Sequence, residues 1–352
     1  MNNLKLFYSL LLIVVFVSCR KEPKDGPVDP EAPLAGDPPS ETITVQQEYD
    51  FYTSTNENFD NEDIISSSLS SDFQSWLQDN GYGDFDFARE ELPGGSYGGR
   101  TFAGEPIKNQ PVIFIHGNSD KAVGSAIFQT GWTASIDYFL SQGYSQAELY
   151  AITWGDADIL LAANQYHSRA NVERIRAFIE AVKAYTGAKK VDVIGHSMGV
   201  TLARKAIKGG TGNDELDGGS YDLGKKLSYI DTFVGIAAAN RGLVSCFDSS
   251  TLLTCGETNG FFPGTAPGGE GLSDFLTDLA NQRGKEADHV YTIWSIQDQL
   301  IGFSNLVWGQ FTSQIPRQDG EIRYDAFPYG HFNCKDLTGP EQLHLVRDHR
   351  IY

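Results

Sequence analysis

The sequence predicts an α/β protein with a mostly parallel central sheet and helices on both of its faces. Three observations carry that prediction. Pro111-Val-Ile-Phe-Ile115 and Leu149-Tyr-Ala-Ile-Thr-Trp154 are continuous apolar runs, as strands buried on both faces require. Between such runs, Val172, Ile175, Phe178, Ile179, Val182 and Tyr185 recur at spacings of three and four, the stripe of an amphipathic helix, and Gly187 follows where a C-terminal cap belongs. Finally, strand and helix patterns alternate along residues 111–294, and alternation of this kind builds parallel sheets.

Taken in order, the chain opens with a segment foreign to any fold. Lys5 supplies a small positive region, and residues 6–17 form an apolar run too short to span a bilayer but suited to a signal peptide. Phe16-Val17-Ser18-Cys19 has a small residue before cysteine, as in a bacterial lipobox, with Phe16 where an aliphatic residue is usual. Residues 1–19 are therefore expected to be a lipoprotein signal, with lipidation at Cys19, membrane attachment through that anchor, and export to the outer membrane or cell surface. An ordinary signal peptide cut nearby is the alternative. Residues 20–40 are charged and rich in proline, the composition of a disordered tether.

Residues 41–93 form an N-terminal extension of uncertain structure. Leu69, Phe73, Trp76 and Leu77 have the spacing of one short helix, and Gly94-Gly95-Ser96-Tyr97-Gly98-Gly99 reads as a flexible loop. A catalytic domain is expected over 94–352. Its strands are Pro111–Ile115, Leu149–Trp154, Lys190–Ile194, Tyr229–Ala237 and His289–Trp294, and its helices Asn171–Tyr185 and Met198–Lys208. A last short strand is expected around Asp325 and a charged helix near the C-terminus. The formal charge of −19, without a basic stripe, argues against a nucleic-acid partner, because duplex binding requires cations that displace phosphate counterions. Cys246 and Cys255 flank a short segment and would pair in an oxidising compartment, leaving Cys334 as a buried thiol. No Cys/His cluster has zinc spacing, and no metal or cofactor is expected.

Chemistry concentrates at Gly195-His196-Ser197-Met198-Gly199. The G-x-S-x-G pattern is short, but here it follows an apolar strand and opens a helix, the setting of the nucleophile elbow of α/β-hydrolases. Ser197 is the candidate nucleophile, and the N–H of Met198 at the helix start would face a developing oxyanion. In this fold acid and base follow the serine in the order Asp/Glu, then His. Among the downstream histidines, His289 precedes the best acid, and His344 and His349 lie in the charged C-terminal segment. His331, behind Gly330 in a loop, is the preferred base. Asp298, just past the strand 289–294, lies at the rim of the elbow and is the preferred acid, with Asp325 next and Asp231 and Asp319 weaker. Capping a helix that would begin at Gln299 is the alternative role for Asp298. A second oxyanion donor is expected in the loop His116-Gly117-Asn118-Ser119-Asp120, from the main chain or side chain of Asn118, whereas His116 is read as bracing that loop. Phe261-Phe262 and the group Phe303, Trp308 and Phe311 are either substrate-facing or core aromatics.

The segments PVIFIHGNSD (111–120), VDVIGHSMGV (191–200), NRGLVSC (240–246), Cys255-Gly256, GFFP (260–263) and Gly330-His331-Phe332 occur in this order. Together they resemble the class 2 lipases, and especially the related secreted polyhydroxyalkanoate depolymerases, from about Gly94 to the C-terminus. The resemblance implies an α/β-hydrolase fold, a Ser197–Asp298–His331 triad, Met198 and Asn118 at the oxyanion hole, and cofactor-free hydrolysis of a lipid or polyester substrate with an apolar acyl chain. An amidase or acyltransferase on the same triad, or an inactive hydrolase fold serving as a surface binding protein, are the competing functions.

Overall fold

The computed structural model describes residues 42–55, 68–266 and 270–352. The expected signal peptide, Cys19 and the proline-rich tether lie outside the described residues, as does the side chain of Phe303. The centre is a six-stranded sheet built from β1 (Val112–Ile115), β2 (Leu149–Ile152), β3 (Val191–His196), β4 (Ile230–Ile236), β5 (His289–Ser295) and β6 (Gly320–Tyr324). Its order is β6-β5-β4-β3-β1-β2, and every pairing is parallel. This is the α/β-hydrolase architecture, with the chain reversing direction across the sheet at β1 and β3.

Among the described residues eight helices accompany the sheet: α1 (Val45–Thr55), α2 (Ser71–Asp79), α3 (Thr133–Ser141), α4 (Arg169–Thr186), α5 (Met198–Lys208), α6 (Asp274–Ala280), α7 (Asn333–Asp336) and α8 (Gly339–Asp348). The apolar strands serve two layers at once. Ile113 and Ile115 of β1 join the core under α2, α4, α5 and α6, whereas Val112 and Phe114 point into the opposite core under α3 and α8. Period-two alternation thus survives inside an unbroken apolar run, because each face has its own helices to meet. α4 starts two residues before the predicted Asn171, capped by Ser168, which accepts from Asn171 N–H at 3.2 Å, and Gly187 ends it in the left-handed region at φ 69°. The segment 69–88 is part of the same body: Phe73, Leu77 and Phe87 are buried against Phe178 and Tyr150.

One expectation needs correcting. The glycine-rich segment 94–99 is not a flexible loop. Tyr97 exchanges two backbone hydrogen bonds with Ala151 of β2, at 2.8 and 2.9 Å, and Ser96 is fully buried. Glycine is needed here for close approach: a Cβ on Gly98 would stand 2.6 Å from the Leu149 carbonyl oxygen. Cys246 and Cys255 are joined in a disulfide and Cys334 is a buried free thiol.

Candidate active site

The C-terminal ends of β3, β5 and β6 place three side chains on one rim of the sheet. Ser197 occupies the turn between β3 and α5 with φ 53° and ψ −127°, a conformation strained for a residue with a Cβ. Its neighbours show why the turn holds. A Cβ on Gly199 would come 2.2 Å from the His116 carbonyl oxygen, and one on Gly195 would come 3.0 Å from Val200 Cα. Gly117 is equally constrained, since a Cβ there would lie 2.9 Å from Ser197 Cβ. The loop that carries Asn118 therefore touches the serine directly.

Past the end of β5, Asp298 is 2% exposed and faces the imidazole of His331, which is 3% exposed. Nδ1 of His331 lies 3.0 Å from Oδ1 and 2.8 Å from Oδ2 of Asp298. A carboxylate only accepts, so Nδ1 carries the proton and Nε2 keeps its lone pair. No helix begins at Gln299; a turn stands there instead, and Asp298 caps that turn, its Oδ1 accepting from the N–H groups of Leu300 at 3.0 Å and Ile301 at 2.8 Å. The two roles reinforce each other, because the turn fixes the carboxylate that fixes the ring. Of the other acids, Asp325 is exposed, while Asp231 and Asp319 are paired with Lys190 and Lys285.

His196, beside the serine, was not singled out in the sequence, yet it links the elbow to the candidate base. Its Nε2–H donates to the His331 carbonyl at 3.0 Å, and the two ring centroids are 4.7 Å apart. Burial holds its imidazole well below the usual histidine range, so the ring stays neutral beside His331. Among the described residues no hydrogen bond joins the Ser197 hydroxyl to His331 Nε2; such bonds commonly tighten when substrate enters.

The side-chain amide of Asn118 donates to the Ala162 carbonyl at 2.9 Å, and its Oδ1 accepts from Ser119 Oγ at 2.9 Å. The side chain of Asn118 is thus committed within its own loop and to the turn 159–164. His116 braces the loop as expected. Its Nε2 accepts from Trp154 N–H at 3.0 Å, its Nδ1–H donates to the Gly117 carbonyl at 2.7 Å, and its ring stacks on the Trp154 indole. Burial lowers its pKa to about 4, which suits the neutral tautomer this bonding requires. Phe261 and Phe262 are buried, and Phe261 packs against His167, so these two are core aromatics.

Two further features lay beyond sequence reasoning. Glu48 of α1 is buried against the His331 turn, and Lys335 of α7 is buried between Asp120 and Asp336. At the opposite rim, by the N-terminal ends of β4 and β5, Asp231, His289 and His349 bring ligand atoms within 4.8 Å of one another. Lys190 Nζ, 2.6 Å from Asp231, already neutralises that carboxylate.

The six-stranded parallel sheet, with a strained serine in the turn after β3 and a carboxylate-bound imidazole at the same rim, defines the α/β-hydrolase class. The chain belongs to the lipase (class 2) family, whose profile it matches over residues 109–344, and it is a carboxylic ester hydrolase of the lipase and esterase type. Among solved structures it is similar to a Bacillus licheniformis lipase in its mature form, at 15% identity over 72% of this chain and 99% of that one, with a TM-score of 0.44. It is also similar to a putative esterase from Staphylococcus aureus, at 14% identity over 69% and 77%, with a TM-score of 0.41.

Proposed function

We propose that Ser197, His331 and Asp298 form a catalytic triad that cleaves carboxylic esters through an acyl-enzyme. The observation that carries this reading is the bond from His331 Nδ1 to Asp298, formed at the rim where the strained serine sits. Ser197 Oγ attacks the ester carbonyl carbon as His331 Nε2 takes its proton. The N–H groups of Met198 and Asn118 receive the negative oxygen. His331 then protonates the departing alkoxide, the C–O bond breaks, and water, activated by the same imidazole, releases the acid.

The rim supports an apolar acyl group. Leu160 and Leu161 are exposed on the turn 159–164, whose Ala162 carbonyl holds the Asn118 side chain, and exposed Leu253 adjoins Thr254, which donates to the same carbonyl at 2.9 Å. A lipid or polyester ester is therefore the proposed substrate class. Export on an N-terminal lipid at Cys19 is part of the same proposal, supported by the small-residue-cysteine junction behind an apolar run.

The test is a fluorophosphonate probe alongside p-nitrophenyl esters of rising chain length and emulsions of triglyceride and polyhydroxybutyrate. Wild type is expected to label and to favour longer acyl chains. Ser197→Ala should lose labelling and at least about 10³-fold in turnover while remaining folded. Labelling that survives Ser197→Ala would reject the triad. Metabolic labelling with a radioactive fatty acid, lost in Cys19→Ser, tests the anchor.

A further inference from the structure

The region 42–55 precedes the part of the chain that matches the family, yet one of its side chains reaches the candidate base. Glu48 projects from α1 and has no solvent exposure. Its Oε1 accepts from the N–H groups of Gly330 at 2.9 Å and Asn333 at 2.8 Å. Its Oε2 accepts from the side-chain amide of Gln299 and, at 3.4 Å, from Phe332 N–H. Gln299 turns its own Oε1 to the N–H of His331 at 3.1 Å. Every main-chain N–H from 330 to 333 is thus fixed by one carboxylate, directly or through one intervening amide. The fit leaves no slack at Gly330, where a Cβ would stand 2.6 Å from both the Glu48 carboxyl carbon and Gln299 Oε1.

We propose that Glu48 is a positioning residue for His331: α1 is a strap whose single carboxylate sets the main chain of the turn, and so the angle at which the imidazole meets Ser197. The proposal rests on reading Ser197 and His331 as nucleophile and base. Its physical core is donor count. Four groups that only donate converge on two oxygens that, when ionised, only accept. A proton on either oxygen would face an N–H, and one of the four bonds would break. Replacement by an amide has the same fault, because a flip of Gln299 to satisfy the new NH₂ would turn its own NH₂ onto the N–H of His331.

Burial raises the Glu48 pKa to about 7, so this proton arrives near neutrality. The ionisable groups around it are Asp298 past β5, His331 on the turn, and Cys334, Lys335 and Asp336 on α7. Lys335 is taken up by Asp120 and Asp336, and no ion pair reaches Glu48 among the described residues.

The experiment compares full-length wild type, Glu48→Ala and Glu48→Gln in three ways: kcat and KM against pH on a p-nitrophenyl ester, thermal melting, and the downfield proton resonance of the His331 Nδ1–H. In folded variants kcat should fall by about 10–100-fold with KM within about twofold. The acid limb of kcat should lose one proton of slope, and the imidazole resonance should shift or broaden. Folded variants that keep kcat within about threefold and an unmoved resonance would overturn the proposal. If the alanine variant does not fold, Glu48→Gln, of equal volume, decides between these outcomes by the same measurements. Because the resonance is recorded without substrate, failure of the strap is distinguishable from failure of the triad, which Ser197→Ala reports.

Discussion

Two ionisable side chains are buried beside the turn that carries His331, and they are held by opposite means. Lys335 of α7 meets countercharge: Asp120 Oδ2 at 3.3 Å, Asp336 Oδ1 at 3.1 Å, Thr130 Oγ1 at 2.8 Å and the Gly131 carbonyl. Glu48 meets only N–H groups. The flanking carboxylates push the Lys335 pKa up despite complete burial, whereas desolvation pushes that of Glu48 up to about 7. One brace is therefore charged throughout the neutral range and the other titrates within it. The Lys335 brace ties the loop holding Asn118 to the helix after His331, since Asp120 also accepts from Gly131 N–H at 3.0 Å. Countercharge holds the one side chain; N–H dipoles alone hold the other against the His331 turn.

The largest effect should come from removing the cation. Lys335→Met leaves Asp120 and Asp336 buried together, and a cost of about 3–5 kcal/mol is expected in urea unfolding at pH 7. A loss under about 1 kcal/mol would mean that the carboxylates relax to water, and the contrast with Glu48 would disappear. A smaller effect concerns pH. With its folded pKa raised, Glu48 favours the folded state below the unfolded carboxyl value, and that advantage is lost as pH rises through about 7. The stability of wild type minus that of Glu48→Gln should therefore fall with rising pH, by about 3 kcal/mol between pH 4.5 and above 7. A flat difference would show that the four donors fully offset desolvation. The smallest effect is expected for Thr130→Val, which removes a hydroxyl bonded to both Lys335 and Asp336 Oδ2. A loss of about 1–2 kcal/mol, with little dependence on pH between 6 and 8, would sharpen the distinction between the braces.

What could be read in the sequence follows the range of the interactions. The unbroken apolar runs gave strands because both sheet faces are covered, and Met198–Lys208 was bounded correctly because a glycine turn and a closing glycine mark its ends. Asp298 and His331 were legible as strand-end and loop residues, and the structure brings their side chains into hydrogen-bond contact while Asp298 also holds the N–H groups of Leu300 and Ile301. The predicted strand limits drifted by a residue or two, as at 149–154, because apolar side chains continue after pairing stops at Ile152. Glu48 was illegible for a different reason. Its partners lie 251–285 positions away, and nothing local marks a glutamate on a short polar helix as buried. The 94–99 segment misled because a high glycine content signals freedom and close packing alike. Helix α3 went unread because a buried Ser135 interrupts its apolar face.

That glycine-rich segment has a consequence for how the molecule behaves in company. β2 ends the sheet, and an exposed terminal strand would offer its unpaired amides to any other extended chain. Tyr97 takes up both free backbone groups of Ala151, Gly99 N–H reaches the Gln146 carbonyl at 3.2 Å, and Ser96 Oγ accepts from Thr153 N–H at 3.2 Å. Six residues, four of them glycine, thereby seal the margin at which such a sheet would otherwise recruit neighbours into a growing aggregate.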